Sequence, residues 1–222
     1  MTTRRFRVGA LEIALATAPQ ATRTAYMLYP MAQADGWAAM AARKYGIDFA
    51  VITGMDWDND LTPWPAPGQP PGSPDFTGAA PRFLDVLRSG VIPAVEAHAG
   101  SDKARDIIGV SLSGLFAMWQ WSLYDLFDNL GCISGSFWYP RFAQWFDSRR
   151  FSKTGKACLL LGDREAETSV VAFRSVAVDT AVVVKHLRSL YVDTTFHSVP
   201  GNHYQHPQAR LDLTLSTLYP QI

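Results

Sequence analysis

The sequence predicts an α/β fold built on one mostly parallel sheet with helices on both faces. Short apolar runs of strand length alternate with longer amphipathic segments from residue 25 to the end of the chain. This alternation is typical of parallel sheets, in which helices connect successive strands. Hydrophobic residues make up 48% and charged residues 18% of the 222 residues, as in ordinary globular proteins. We therefore expect a single domain over residues 1–222.

Strands are expected where a short apolar run ends at a turn residue, and helices where apolar residues recur every three or four positions. Residues 4–17 are interpreted as one long strand or as a hairpin with Gly9 in its turn. Further strands are expected at residues 25–29, 49–52, 106–110, 130–134, 157–161 and 194–199. Helices are expected at residues 35–45, 79–97, 115–127, 168–190 and 211–218.

Residues 54–78 form a proline-rich loop that contains six prolines. Proline lacks a backbone donor and cannot continue a helix or a central strand. A loop of this length is uncommon inside a compact domain unless it is functional or disordered. Two interpretations stay open: a solvated excursion, or a wall or lid over a pocket.

The charge balance disfavours some classes of partner. Twenty Lys and Arg offset twenty Asp and Glu, and no dense basic run is present, so we expect no nucleic-acid partner. No run of eighteen apolar residues exists, so we expect no membrane-spanning segment. The sequence leaves homo-oligomerisation open.

Two features bear on the cellular compartment. Cys132 and Cys158 each lie in a short apolar run, which indicates buried thiols in a reducing environment and not a disulfide framework. The first twenty residues loosely imitate a signal peptide. However, Glu12 interrupts the apolar stretch, and the alternation from Phe6 to Leu15 favours a strand. We therefore expect a cytoplasmic protein.

The segment Gly109-Val110-Ser111-Leu112-Ser113-Gly114 joins an apolar strand to an apolar helix. A sharp strand–turn–helix of this kind is typical of a nucleophile elbow, which lifts a serine hydroxyl above a parallel sheet. The usual elbow has glycine two residues after the nucleophile, whereas this chain has Ser113. Because serine is nearly as small, the departure is mild.

Three residues with acyl-transfer chemistry follow the ends of three expected strands: Ser111, Glu165 and His203. The carboxyl ends of parallel strands open onto one edge of a sheet, where sites form. The order serine, acid, histidine is that of the α/β-hydrolase triad. In such a triad the imidazole removes the serine proton and the carboxylate orients the imidazole. Asp163 and Glu167 are alternative acids in the same turn.

The tetrahedral intermediate of this chemistry needs backbone N–H donors around its oxyanion. The N–H of Leu112, directly after the nucleophile, is the first expected donor. The second should come from the loop after the strand 25–29. Pro30 has no N–H, so we expect Met31 to supply it.

Several stretches resemble the putative esterase family of α/β-hydrolases, which includes esterase D-like enzymes and siderophore trilactone hydrolases. The similar stretches are the elbow segment, Ser134-Gly135-Ser136-Phe137-Trp138-Tyr139, Leu160-Leu161-Gly162-Asp163-Arg164-Glu165 and Val199-Pro200-Gly201-Asn202-His203. The resemblance implies an α/β-hydrolase fold and hydrolysis of a carboxylic ester through an acyl-serine, without a cofactor. Ser111 and His203 carry over directly. Some members resemble Ser–His dyads, which leaves the acid open.

Loop aromatics near the expected catalytic edge are candidates for the substrate pocket. Trp138 and Tyr139 follow the strand next to the elbow, and Trp64 lies in the proline-rich loop. We expect these three side chains to line an aromatic or acyl pocket with little positive charge.

Other functions use the same residues. An acyltransferase or thioesterase would use the same triad, and a non-catalytic hydrolase-fold binding protein is motivated only by Ser113. His197, His203 and His206 raise the question of a metal site, but a zinc site needs three or four ligands on fixed elements, and the cysteines fall in strands elsewhere. We therefore expect no metal ligands and rank ester hydrolysis first.

Overall fold

A computed structural model describes residues 3–30 and 34–220. Its eight strands are β1 (Thr3–Val8), β2 (Leu11–Ala16), β3 (Arg23–Leu28), β4 (Asp48–Thr53), β5 (Ala104–Val110), β6 (Asn129–Ile133), β7 (Lys156–Gly162) and β8 (Asp193–Val199). They form one sheet in the order β1-β2-β4-β3-β5-β6-β7-β8. The strand β2 is antiparallel to both of its neighbours, and all other neighbouring strands are parallel. The prediction of a mostly parallel sheet is confirmed.

Helices cover both faces of this sheet. They are α1 (Ala34–Tyr45), α2 (Ala80–Val86), α3 (Ile92–Ala99), α4 (Leu112–Leu123), α5 (Phe142–Asp147), α6 (Val176–Ser189) and α7 (Pro207–Leu218). A π-helical turn at Leu87–Val91 joins α2 to α3, and a 3-10 turn at Val171–Ser175 precedes α6. Side chains of α1 and α7 share one buried cluster, and those of α2 to α6 belong to the other. Among the described residues, no helix has the length and apolar character to cross a bilayer.

Burial explains why the central strands are mostly apolar. All five residues of β6 are buried, because helices cover the strand from both sides. The edge strand β1 instead consists of half-buried and exposed residues. It forms a hairpin with β2 in which Gly9 adopts a φ of 59°, so the hairpin interpretation of residues 4–17 is confirmed.

Three helices differ clearly from the sequence-based expectation, and α5 was not expected at all. Helix α6 begins at Val176, whereas residue 168 was expected, because a 3-10 turn precedes it. The elbow helix α4 begins at Leu112 and ends at Leu123, whereas residues 115–127 were expected. The last helix α7 begins at Pro207, four residues before the expected start. Proline suits the first helical turn, where its missing N–H has no intrahelical partner. The earlier start places Arg210 on the helix, which matters for the site.

The proline-rich loop 54–78 contains no helix or extended strand, but it is held by internal hydrogen bonds. Ala66 and Phe76 form an isolated antiparallel bridge through backbone bonds of 3.1 and 2.9 Å. The Asn59 side-chain oxygen accepts a hydrogen bond from the N–H of Thr77 at 3.0 Å. Leu61 is fully buried and anchors the loop in the core. The loop is thus a packed part of the fold.

Candidate active site

Ser111 lies in a strained turn between β5 and α4. Its φ of 57° and ψ of −122° are unfavourable for a residue with a Cβ, at a cost on the order of 1–3 kcal/mol. Three backbone hydrogen bonds fix this turn. The N–H of Ser111 donates to the carbonyl of Ile133, and its own carbonyl accepts from Leu115 and Ser136, each at 3.0 Å. The constraint aims the Ser111 side chain at the carboxyl edge of the sheet.

Small residues flank Ser111 because the strand and helix backbones approach closely. A Cβ on Gly109 would lie 2.1 Å from the carbonyl oxygen of Ser113, which excludes any other residue there. Ser113 itself is fully buried, and its hydroxyl is used. It accepts a hydrogen bond from the N–H of Val110 at 2.7 Å and lies 2.8 Å from the carbonyls of Leu28 and Val110, to one of which it donates. The departure from the usual elbow is accommodated.

The structure brings the three strand-end residues together. Nε2 of His203 lies 3.1 Å from Oγ of Ser111, and Nδ1 of the same ring lies 2.8 Å from Oε2 of Glu165. An ionised carboxylate only accepts hydrogen bonds, so this contact requires the proton on Nδ1. Nε2 is then free to accept the serine proton. The imidazole is 30% exposed and the Glu165 side chain only 2%.

Among the candidate acids, only Glu165 contacts the imidazole. Burial alone would raise the pKa of Glu165, but hydrogen bonds from His203 and Ser134 outweigh it and hold the pKa below its usual value. Asp163 is 53% exposed, and its carboxylate accepts a hydrogen bond from the N–H of Gly201 at 2.9 Å. Glu167 is exposed at the cavity.

One of the two expected oxyanion donors can be described. Leu112 is the first residue of α4, so its N–H has no partner within the helix and faces the same edge as Ser111. Both residues line the same cavity. Met31 lies outside the described residues.

A cavity of about 420 Å³ opens beside Ser111. The proline-rich loop forms part of its wall, which supports the second interpretation of that loop. Trp138 lines the cavity as expected, and its ring lies 4.2 Å from that of Phe173. The cavity is lined by Trp57, Asp58, Gln69, Pro70, Phe76, Ser111, Leu112, Ser134, Trp138, Arg164, Glu165, Glu167, Thr168, Phe173, Val176, Asn202, His203 and Tyr204.

Tyr139 and Trp64 do not line this cavity, contrary to expectation. Tyr139 is 1% exposed, and its hydroxyl donates to the carbonyl of Trp64. The indole N–H of Trp64 donates to the carbonyl of Pro140 at 3.0 Å. Because both polar groups are used in joining the loop to the segment after β6, these side chains pack behind the cavity wall.

Sequence reasoning missed three polar residues around the triad. Oγ of Ser136 lies 3.2 Å from Oγ of Ser111. Ser134 donates to Oε1 of Glu165 at 2.6 Å. Arg210 donates to the same oxygen at 2.7 Å. The two serines could have been found, since they follow a strand that ends at the catalytic edge, but the position of Arg210 carries no such signal.

The other histidines considered for a metal site lie apart from one another. Nε2 of His197, on β8, lies 2.9 Å from the hydroxyl of Thr217. His206 is exposed directly before α7. Over residues 3–30 and 34–220, no group of three or more His, Cys, Asp and Glu side chains is arranged to hold a metal ion.

Comparison with known sequences finds two matches. A family model described as "Putative esterase" matches residues 27–211. The curated protein YbbA of Bacillus subtilis, described as uncharacterized, is 34% identical over 101 residues. The match covers 42% of the present chain and about 40% of the length of that relative, so this chain spans less than half of the relative.

Solved structures share the fold. An IroE-like serine hydrolase from Shewanella oneidensis superposes with a TM-score of 0.83 at 16% identity, over 98% of this chain and 80% of that one. A siderophore hydrolase, EstA of Aspergillus nidulans, has a TM-score of 0.71 at 18% identity, over 94% of this chain and 89% of EstA. The fold is thus the α/β-hydrolase fold.

Proposed function

The chain belongs to the family described as "Putative esterase", and on that premise we propose that it hydrolyses carboxylic esters as a serine hydrolase. The observation that carries this proposal is the hydrogen-bonded series Ser111–His203–Glu165 at the wall of an aromatic-lined cavity. Each of the three groups has the neighbour that its role requires.

The first half of the reaction forms an acyl-enzyme. Nε2 of His203 takes the proton of Ser111 as Oγ attacks the ester carbonyl carbon. Glu165 stabilises the imidazolium that results. The N–H of Leu112 donates to the oxyanion, and we assign the second donor to Met31. Collapse of the intermediate breaks the ester C–O bond, and the imidazolium returns its proton to the departing alcohol.

The second half of the reaction releases the carboxylic acid product. Water enters the position of the alcohol, and His203 takes one of its protons while the oxygen attacks the acyl carbon. The second tetrahedral intermediate uses the same oxyanion donors. Its collapse expels Oγ of Ser111, which regains a proton from the imidazolium. The products are one carboxylic acid and one alcohol, and the enzyme is restored.

The cavity supports an uncharged ester with an aromatic or extended apolar acyl group. Trp57, Phe76, Trp138 and Phe173 supply aromatic surface in its wall. The exposed carboxylates of Asp58 and Glu167 line the same space and outnumber the one exposed cation among its described lining residues, Arg164. We therefore expect weaker turnover of strongly anionic siderophore esters, although the name of the Aspergillus structure makes such an ester a necessary test substrate.

A small-molecule ester is the partner that we propose, in a cytoplasmic setting without nucleic acid or membrane. Both cysteines are buried free thiols, and burial raises the pKa of Cys158 to about 11. Such thiols suit a reducing compartment. Fractionation of cells that express the tagged chain tests this proposal, and recovery in the membrane or secreted fraction would contradict it.

Labelling with a fluorophosphonate probe tests the nucleophile. Ser111→Ala should abolish both labelling and hydrolysis of p-nitrophenyl butyrate, because the hydroxyl that His203 activates is removed. Ser89→Ala is the matched control, since Ser89 lies in the π-helical turn and its hydroxyl donates to the carbonyl of Asp85. Persistent labelling of Ser111→Ala overturns the proposal.

A further inference from the structure

Arg210 is a buried cation with three hydrogen bonds at the rear of the site. Its side chain is 3% exposed. One guanidinium nitrogen donates to Oγ of Ser134 at 2.8 Å and to Oε1 of Glu165 at 2.7 Å. The other terminal nitrogen donates to the carbonyl of Asn202 at 2.7 Å. Arg210 itself touches neither Ser111 nor the cavity.

The three acceptors belong to three separate segments of the site. Ser134 follows β6, Glu165 lies in the turn after β7, and Asn202 immediately precedes His203. The planar guanidinium presents its donors in a fixed geometry, unlike the flexible point charge of lysine. A single side chain on α7 therefore sets the distance between the segment that carries the acid and the loop that carries the imidazole.

The two oxygens of the Glu165 carboxylate have different hydrogen-bond partners. Oε2 faces the imidazole of His203, and Oε1 faces Arg210, Ser134 and the N–H of Gly162. A buried carboxylate is costly unless a partner compensates its charge. The guanidinium supplies that compensation and offsets part of the attraction between Glu165 and an imidazolium.

We propose that Arg210 is a positioning residue of the triad, which fixes Glu165 against His203 and limits how strongly the carboxylate favours the imidazolium. This inference rests on the proposed function of Ser111, Glu165 and His203. It assigns two separable effects to one side chain: a geometric effect on turnover and an electrostatic effect on the protonation of the imidazole.

Two substitutions separate these effects. Arg210→Gln removes the charge, so the imidazolium should be stabilised and the acid limb of the kcat/KM profile should move up by roughly 0.5–1 pH unit. Arg210→Lys keeps the charge but cannot reach all three acceptors. It should leave the acid limb in place and lower kcat about 10- to 100-fold through misplacement of the reacting groups, with little change in KM. The substrate for both is p-nitrophenyl butyrate.

Other charged or titratable groups near His203 also influence the pH profile. None of them is changed in the Arg210 variants. Besides Arg210 and Glu165, these groups are Asp58 and Glu167 in the cavity wall, Asp163 and Arg164 in the turn after β7, Tyr204 beside the His203 ring, and the Cys132 thiol on β6.

Arg23→Gln is the matched control for the loss of a partly buried arginine. Arg23 donates to Asp106, which is fully buried, through contacts of 2.7 and 2.5 Å. This pair lies at the amino ends of the parallel strands, away from Ser111. Arg23→Gln should lower the melting temperature as Arg210→Gln does, yet leave the acid limb and the rate of fluorophosphonate labelling unchanged.

The outcomes separate this inference from the proposed function. The first case is that Ser111→Ala is inactive and that folded Arg210→Gln has its acid limb at the wild-type pH or at a lower pH. The electrostatic effect is then refuted, and the ester mechanism stands. If Arg210→Gln does not fold, Arg210→Lys decides, because a wild-type kcat overturns the positioning role and a lowered kcat at constant KM supports it. Activity of Ser111→Ala refutes the proposed function itself.

Discussion

Oε2 of Glu165 lies 2.8 Å from Nδ1 of His203, although the carboxylate is almost wholly removed from solvent. The contact fixes both the orientation of the ring and the nitrogen that carries its proton. The other carboxylate oxygen of Glu165, Oε1, accepts three hydrogen bonds. The carboxylate therefore cannot rotate away without leaving buried groups unpaired.

Replacement of Glu165 by a side chain of the same size should reduce turnover. Glu165→Gln retains the size of the side chain but can place an amide N–H against the ring N–H, which favours the wrong tautomer. We expect kcat for p-nitrophenyl butyrate to fall about 10³- to 10⁴-fold, as for other triad acids. Asp163→Asn is the control from the same turn and should retain wild-type kcat. The opposite pattern would identify Asp163 as the acid.

Acid should destabilise the protein partly through the same carboxylate. The pKa of Glu165 is lower in the folded protein than its usual 4.5. Its contribution to stability is therefore fully present above the unfolded pKa and is lost as the pH falls through the folded pKa. Melting temperatures measured between pH 3 and 6 should decline less steeply in Glu165→Gln than in the wild type. Parallel curves would contradict this assignment.

The hydroxyl of Ser113 should contribute to stability. Ser113→Ala removes the acceptor of the Val110 N–H and a donor shared between the carbonyls of Leu28 and Val110. Buried groups left without a partner should cost about 1–3 kcal/mol of unfolding free energy in urea titration. Ser216→Ala, at an exposed hydroxyl of α7, is the control. A change within error would show that the elbow does not depend on this hydroxyl.

Trp138 should determine the preference for aromatic esters. Trp138→Ala removes the ring that packs against Phe173 in the cavity wall. The KM for p-nitrophenyl benzoate should rise roughly tenfold, because aromatic contacts contribute about 0.5–1.5 kcal/mol beyond area burial. The KM for p-nitrophenyl acetate should change much less. Trp64→Phe, behind the wall, should affect neither ester, and an equal rise for both esters in Trp138→Ala would refute this role.

The parts of the site that follow local rules were predictable from the sequence. Ser111 directly follows β5, Glu165 lies in the turn after β7 and His203 in the loop after β8, and parallel strands bring such positions to one edge. Gly109 and the small residues after Ser111 indicated the close strand–helix approach. These signals depend only on neighbouring residues and on the order of the elements.

Long-range packing decided the rest. Arg210 reaches Glu165 across 45 positions of sequence, from a helix that begins earlier than its apolar pattern indicates. The orientations of Tyr139 and Trp64 depend on hydrogen bonds between two loops that no sequence period encodes. Aromatic composition alone could not distinguish a cavity lining from the packing behind it.

The proline-rich loop contributes to the cavity wall but contains none of the reacting groups. Residues 54–78 contribute to the cavity wall, whereas the nucleophile, acid and base all follow β5. Insertions or replacements in the earlier stretch can therefore reshape ligand selection while the reacting groups keep their geometry. An exchange of this loop between relatives is accordingly a way to alter the part of substrate preference that does not depend on Trp138, without rebuilding catalysis.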